Sequence, residues 1–219
     1  MDALSILLHP QLAGKKSERI TAFDDELREF VSMMFLTMNL ANGVGLAAPQ
    51  VNWFKRLAVI HVPELDPAVL VNPKIVEAEG EMLVTEGCLS IPGRGFRAAV
   101  KRVAKVTVEY QDAFGEKKCL AECEGVLAQV IQHEVDHLDG KFYIDHLSRF
   151  QRALIIDKLK RKIHAREKEI KHHEEHDKRE QKVQAANAER QSRRMAEAAP
   201  RIMDTPERPV SSVELTDGE

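Results

Sequence analysis

Cysteine is scarce in this 219-residue chain, which holds only Cys88, Cys119 and Cys123. Three is too few, and of the wrong parity, for a disulfide scaffold, so cysteine usage points to a reducing compartment. Long apolar runs are lacking too. None approaches the ~20 residues that a bilayer-crossing helix needs, so no membrane partner is expected. The N-terminal stretch MDALSILLHPQLAGKK has a brief apolar run with no basic region ahead of it, and resembles neither a secretory signal nor an Arg-rich transit peptide. The chain reads as cytoplasmic. A charge excess is also missing: the formal net charge is −3, so bulk electrostatics favours neither nucleic acid nor an anionic membrane, no DNA partner is expected, and any electrostatic partner must be read by local charge. Aromatic residues make up only 5%, but the 43% hydrophobic content suffices to bury a core. The length fits one domain with an appendage.

What is present falls into a clear order. Thr21 followed by Asp24 forms a helix-start pattern, and Leu27, Phe30, Val31, Met34, Phe35 and Met38 follow at helical spacing. This predicts a core-facing helix over 21–41, ended near Asn42-Gly43. Short β-like runs come next at 56–62, 68–72 and 105–110, the last alternating cleanly, and Asp112 to Gly115 turns into a partner strand over 117–123. From 124 to 138, Leu127, Val130, Ile131 and Leu138 with a stop at Gly140 predict a largely buried helix.

That helix carries QHEVDHLDG, residues 132–140. On a helix, His133 and His137 share one face a single turn apart and can grip one metal ion. Glu134 then stands beside the ion, where it can take a proton from water. A third ligand is needed. Proteases of the HExxH type take theirs downstream, often as HExxHxxGxxH. Gly140 fits that longer pattern, but its final position is Tyr143, and His146 is out of register.

Upstream lie Glu86-Gly87-Cys88-Leu89-Ser90 and Gly43-Val44-Gly45-Leu46-Ala47-Ala48-Pro49-Gln50. Together with QHEVDHLDG, in this order, these stretches resemble the three signature motifs of the peptide deformylases. The resemblance covers about residues 1–147. It implies an α+β fold, with antiparallel sheets packed around the buried HExxH helix, and an enzyme that removes the N-formyl group from the formylmethionine of nascent peptides, releasing formate. It further implies that Cys88, His133 and His137 hold one divalent ion, typically Fe(II), with Zn, Ni or Co able to take its place. Glu134 is then the general base, Gln50 and the backbone N–H of Leu89 hold the oxyanion, and Gly43, Val44, Gly45 and Glu86 bound the substrate site. One thiolate and two neutral imidazoles leave a divalent site at about +1, still enough to acidify water.

After residue 147 the composition shifts. Leu147, Phe150, Leu154, Leu159 and Ile163 form an apolar stripe beside Arg149, Arg152, Lys158, Lys160, Arg161 and Lys162. A basic face over 149–162 is ordinarily a charged helix surface, and the family resemblance adds a second reading, contact with ribosomal RNA, with the stripe packing on the domain and the face staying free for phosphate. Residues 148–199 are expected to form a charged helical extension and 200–219 a disordered tail. Packing is the expectation for Cys119 and Cys123, and a solvated face for His172, His173 and His176. Arg94 and Arg97 are equal candidates to approach substrate, and Gln129 is expected to narrow or polarise the methionine pocket. Two rival functions stand beside this reading, a peptidase with a downstream third ligand and a non-catalytic ribosome binder.

Overall fold

In the computed structural model, which describes residues 3–198, a single turn α1 (His9–Leu12) precedes the long helix α2 (Asp25–Leu40). Asp24, rather than Thr21, caps that helix: its carboxylate accepts from the Leu27 N–H at 3.0 Å, satisfying one of the unpaired donors of the first turn. The helix closes where expected, because Asn42 adopts a left-handed conformation (φ 54°) that a helix cannot continue through. Seven strands follow: β1 (Gly45–Ala47), β2 (Leu57–Ile60), β3 (Ala68–Glu79), β4 (Met82–Glu86), β5 (Ala98–Arg102), β6 (Lys105–Gln111) and β7 (Lys117–Glu124). Then come α3 (Gly125–Leu138) and α4 (Arg149–Ala198).

Antiparallel pairing orders five strands as β1-β2-β3-β6-β7, with β4 and β5 forming a separate two-stranded sheet. The chain is α+β. β2 is buried along its whole length, and its alternation explains how two helices share one sheet. Leu57 and Val59 pack with Leu27, Val31, Met34 and Met38 of α2. Ile60, on the opposite face, packs with Ala128, Val130 and Ile131 of α3. A strand covered on both faces reads as a continuous apolar run rather than an alternating one, as LAVI does. Fully burying side chains such as Met34 and Met38 is worth ~1.5–3 kcal/mol each.

Strands β4 and β5 are absent from the sequence expectation. Each carries a buried charge, Glu86 and Arg102, where a core strand would carry an apolar residue, and this erases the alternation that would have marked them. β3 also runs on to Glu79, because its second half is held by pairing to β6 rather than by an apolar pattern of its own.

The compact units divide after Lys162, into Met1–Lys162 and Ile163–Glu219. In the first, α4 buries Leu159 at 2% exposure, with Ile155 and Ile156 half-buried, whereas Phe150 (73%) and Leu154 (54%) are exposed. The buried face therefore differs from the expected stripe. Ile155 and Ile156 lie one helical turn from Leu159, while Leu154 lies five residues away, ~140° around the axis. The basic residues over 149–162 remain exposed, although Arg152 pairs with Asp145 at 2.9 Å, Arg161 with Asp157 on the helix surface, and Lys158 and Lys162 bond backbone carbonyls. In the second unit, residues 164–191 are exposed wherever their burial is described. The stretch 200–219, expected as a disordered tail, lies outside the described residues. No helix among the described residues is long and apolar enough to cross a membrane.

Replacing Asp24 with Ala should remove the α2 cap and lower stability by about 1 kcal/mol. Denaturant unfolding would read this as a lower midpoint, and an unchanged midpoint would remove Asp24 from the capping role.

Candidate metal centre and substrate groove

The spacing of the HExxH residues puts His133 and His137 on adjacent turns of α3, their rings 4.8 Å apart. Cys88 follows the end of β4 and reaches the same point, its Sγ lying 3.2 Å from His137 Nε2. The donor atoms of Cys88, His133 and His137 all lie within 4.8 Å of one another, the one such group among the described residues. Each imidazole is oriented from behind. His133 Nδ1 donates to Glu86 Oε2 at 2.7 Å and His137 Nδ1 donates to the Lys141 carbonyl at 3.2 Å. Since both partners only accept, the Nδ1 positions carry the protons, leaving each Nε2 lone pair for a cation. Phe142 meets His137 edge-on at 4.7 Å and Tyr143 stacks on His133 at 6.3 Å. Tyr143, the final position of the longer protease pattern, is thus a wall of the site rather than a ligand. His146 is directed elsewhere, to Asp136 Oδ2 at 2.7 Å.

The charges at this point suit a cation. Burial alone would raise the Cys88 thiol, but His137 and His133 overcome it and bring its pKa to about 5. Burial likewise opposes charge on His133, yet Cys88 and Glu86 raise its pKa well above that of free imidazole. A thiolate beside a protonated ring is the arrangement a divalent ion would occupy by displacing that proton.

Glu134 stands next to this trio, 3% exposed. Its Oε2 is buried without a hydrogen-bond partner, and burial pushes its pKa up to about 7 against the pull of His133 and His137. A carboxyl oxygen left unpaired at such depth is costly unless it serves a ligand or a reaction. Gly45 of β1 makes room for it: a Cβ there would sit 2.4 Å from Glu134 Oε1 and 2.9 Å from Val130 Cγ1. Gly43 is constrained in the same way, 2.9 Å from Leu89 Cδ1.

Gln50 closes the other side from a short 3-10 turn (Ala48–Val51). Its Oε1 accepts from the Ala47 N–H at 2.8 Å, which turns Nε2 toward Ser90 Oγ (3.2 Å) and Cys88 Sγ (3.6 Å). The Leu89 N–H has no backbone acceptor among the described residues. Gln50 Nε2 is therefore a donor beside the thiolate, and Leu89 follows Cys88 directly in the chain. The residues enclose a groove of about 750 Å³, lined by Gly43, Val44, Gly45, Gln50, Cys88, Leu89, His133 and Glu134 and reaching Arg97 and Gln129. Arg97 and Gln129 both donate to the Thr85 carbonyl, at 3.4 and 3.5 Å.

Glu86 is a correction. The sequence expectation has it touching substrate, but its carboxylate is 1% exposed behind His133 and is taken up by Arg102, whose Nε and Nη2 donate to Oε1 and Oε2 at 2.7 and 3.0 Å. Burial opposes its ionisation, and the bonds from His133 and Arg102 hold its pKa at about 2. Arg102 also pairs with Asp136 at 2.6 Å. Sequence reasoning gave no role to Arg102 and set Tyr143 aside as a non-ligand. Asp136 lies inside QHEVDHLDG and Glu86 inside the second motif, so two members of this outer layer fall within the motif stretches. Cys119 is exposed and Cys123 buried, and both lie outside the metal-capable group.

A profile described as polypeptide deformylase matches residues 4–153. The peptide deformylase of Wolinella succinogenes is 40% identical over 170 residues, covering 74% of this chain and 98% of that protein. That of Thermodesulfovibrio yellowstonii is 42% identical over 167 residues, covering 74% and 99%. Among solved structures, the peptide deformylase of Ehrlichia chaffeensis in complex with actinonin is similar with a TM-score of 0.70 and 37% identity, over 74% of this chain and 98% of that one.

Exchanging Gly45 for Ala should push the Glu134 carboxyl aside while leaving Cys88, His133 and His137 untouched. Turnover should fall on the order of 10²-fold, the lower range of what a positioned proton-transfer group contributes, at unchanged metal content. Wild-type turnover would show that Glu134 tolerates the displacement.

Proposed function

The chain belongs to the polypeptide deformylase family, and on that premise we propose how its own residues carry out the reaction. The enzyme removes the N-formyl group from N-formylmethionyl nascent peptides and releases formate. The observation that carries the residue assignment is the meeting, in the lining of one groove, of a thiolate with two imidazoles, an unpartnered buried carboxyl and the Gln50 side-chain amide.

Cys88, His133 and His137 would hold one divalent ion, Fe(II) in the native enzyme, with Zn, Ni or Co also suited to a Cys/His2 set. When bound, the ion supplies a Lewis-acid centre that polarises the formyl carbonyl and acidifies water. Glu134 takes a proton from the attacking water as the new C–O bond forms, and later delivers it to the leaving amine as the formamide C–N bond breaks, so that the products are formate and a free N-terminus. Gln50 Nε2 and the Leu89 N–H face the oxygen that gains negative charge in between. β1 is an edge strand. A peptide laid along Gly43, Val44 and Gly45 adds to it through main-chain hydrogen bonds that read no side chains, which suits an enzyme acting on most new chains. Arg97 lines the groove and is placed to approach substrate, and Gln129 borders the same space.

The same proposal takes residues 1–147 as the catalytic domain and 148–199 as its helical extension, and puts the enzyme in the cytoplasm. A peptidase role lacks support, because His146 is bonded to Asp136. Ribosome contact through the basic stretch 149–162 is also part of the reading. With Lys158 and Lys162 bonded to backbone carbonyls and Arg152 and Arg161 in exposed ion pairs, Arg149 and Lys160 are the cations of this stretch free of such pairing among the described residues and the first to test against phosphate.

Glu134→Gln should keep its metal yet lose most formate release from formyl-Met-Ala-Ser, on the order of 10²-fold or more. Near-normal turnover at full occupancy would remove Glu134 from proton transfer. For the ribosome contact, co-sedimentation at two salt concentrations should show binding that falls with added salt, as phosphate contacts require, and that weakens in Arg149→Glu/Lys160→Glu. Salt-insensitive binding would refute it.

A further inference from the structure

Lys158 and Lys162 lie one turn apart on α4 and point at the loop that follows the second motif. Lys158 Nζ donates to the Gly95 carbonyl at 3.1 Å and Lys162 Nζ to the Pro92 carbonyl at 3.0 Å. Both ammonium groups also lie over the ring of Phe96, 5.2 and 5.6 Å from its centroid. Between them Leu159 is 2% exposed, and Phe96 itself is 3% exposed. From the opposite side the Phe96 carbonyl accepts from the Tyr143 hydroxyl, and the Tyr143 ring stacks on His133.

The loop held in this way is part of the groove. Ile91, Pro92 and Gly93 line it, three to five residues after Cys88. Its glycines fit the lysines closely: a Cβ on Gly95 would lie 2.7 Å from Lys158 Nζ, and one on Gly93, which has φ +125°, would lie 3.0 Å from Lys162 Nζ. A lysine on a helix surface ordinarily leaves its ammonium in water. Here two successive ones are each given a carbonyl and a shared aromatic face, contacts that charge strengthens.

We propose that Lys158 and Lys162 are positioning residues that set the rim of the substrate groove by tying Pro92, Gly95 and Phe96 to α4. They touch neither substrate nor the metal-capable group. Their effect passes through the rim backbone, so it falls on substrate binding rather than on the bond-breaking step. The kinetic consequence rests on the deformylase reading, whereas the tethering of the loop does not.

The test uses the metal-loaded full chain. Lys158→Met/Lys162→Met, which keeps the aliphatic stems and removes the cations, should raise KM for formyl-Met-Ala-Ser roughly 3- to 10-fold with kcat held within about twofold. Amide exchange over residues 93–97 should quicken in the same variant, and Lys158→Arg/Lys162→Arg should restore both. Gly95→Ala attacks the Lys158 contact from the loop side, so it should raise KM alone and add little in a Lys158→Met background. Unchanged exchange would overturn the tether. Quickened exchange with unchanged KM would overturn the positioning role, as would additive effects of Gly95→Ala and Lys158→Met. Should the parent chain release no formate, the exchange measurement still reads the tether on its own.

Discussion

The buried carboxylate of Glu86 is the interaction on which the rest of the site depends. It accepts from His133 on one oxygen and from Arg102 on both, and Arg102 carries the charge on to Asp136 and His146. Four segments distant in sequence, β4, β5, α3 and the short turn Tyr143–His146, are joined by this one set of charges. Removing one member of such a buried group leaves an uncompensated charge at a cost of ~3–5 kcal/mol. The network orients His133 as well as stabilising the fold, because a ring whose Nδ1 proton is fixed presents Nε2 in one direction only.

Depth does the second part of the work. α3 is covered by β1 and β2 on the side that carries Glu134, and Gly45 lets the β1 backbone come within contact of that carboxyl. The result is a carboxyl near pKa 7, where a group can both take and return a proton. The same closeness leaves Oε2 without a partner inside the protein. Stability is given up at this position in favour of chemistry, as happens where a polar atom is buried for a ligand it meets only in action.

The groove has two walls of different character. One is the edge strand β1 with its glycines, a main-chain surface. The other is the segment from Thr85 to Phe96, which carries the thiolate and the Leu89 N–H and is held down by hydroxyl, ammonium and guanidinium donors to the carbonyls of Thr85, Pro92, Gly95 and Phe96. Beyond the end of β4, where no ladder is available, irregular backbone of this kind is stabilised by side-chain donors.

The sequence alone determined the local features. The 3.6-residue period of α2 and α3, the one-turn spacing of His133 and His137, and the alternation of β6 are properties of neighbouring residues, and they were legible for that reason. The three motif stretches also carried the family and the candidate site through resemblance. Tertiary structure decided the rest. β4 and β5 were invisible because each ends on a buried charge, Glu86 and Arg102, and Glu86 changed from a substrate contact to the support of His133 once Arg102 was seen beside it. Tyr143 and Arg102 entered only through contacts 47 and 16 residues distant in sequence. The basic face of α4, read as free, lost Lys158 and Lys162 to carbonyls more than sixty residues away. Periodicity reports which face of an element is apolar. Which charge meets which is settled only when the chain has folded, since ion pairs and carbonyl contacts depend on distances that no local pattern encodes.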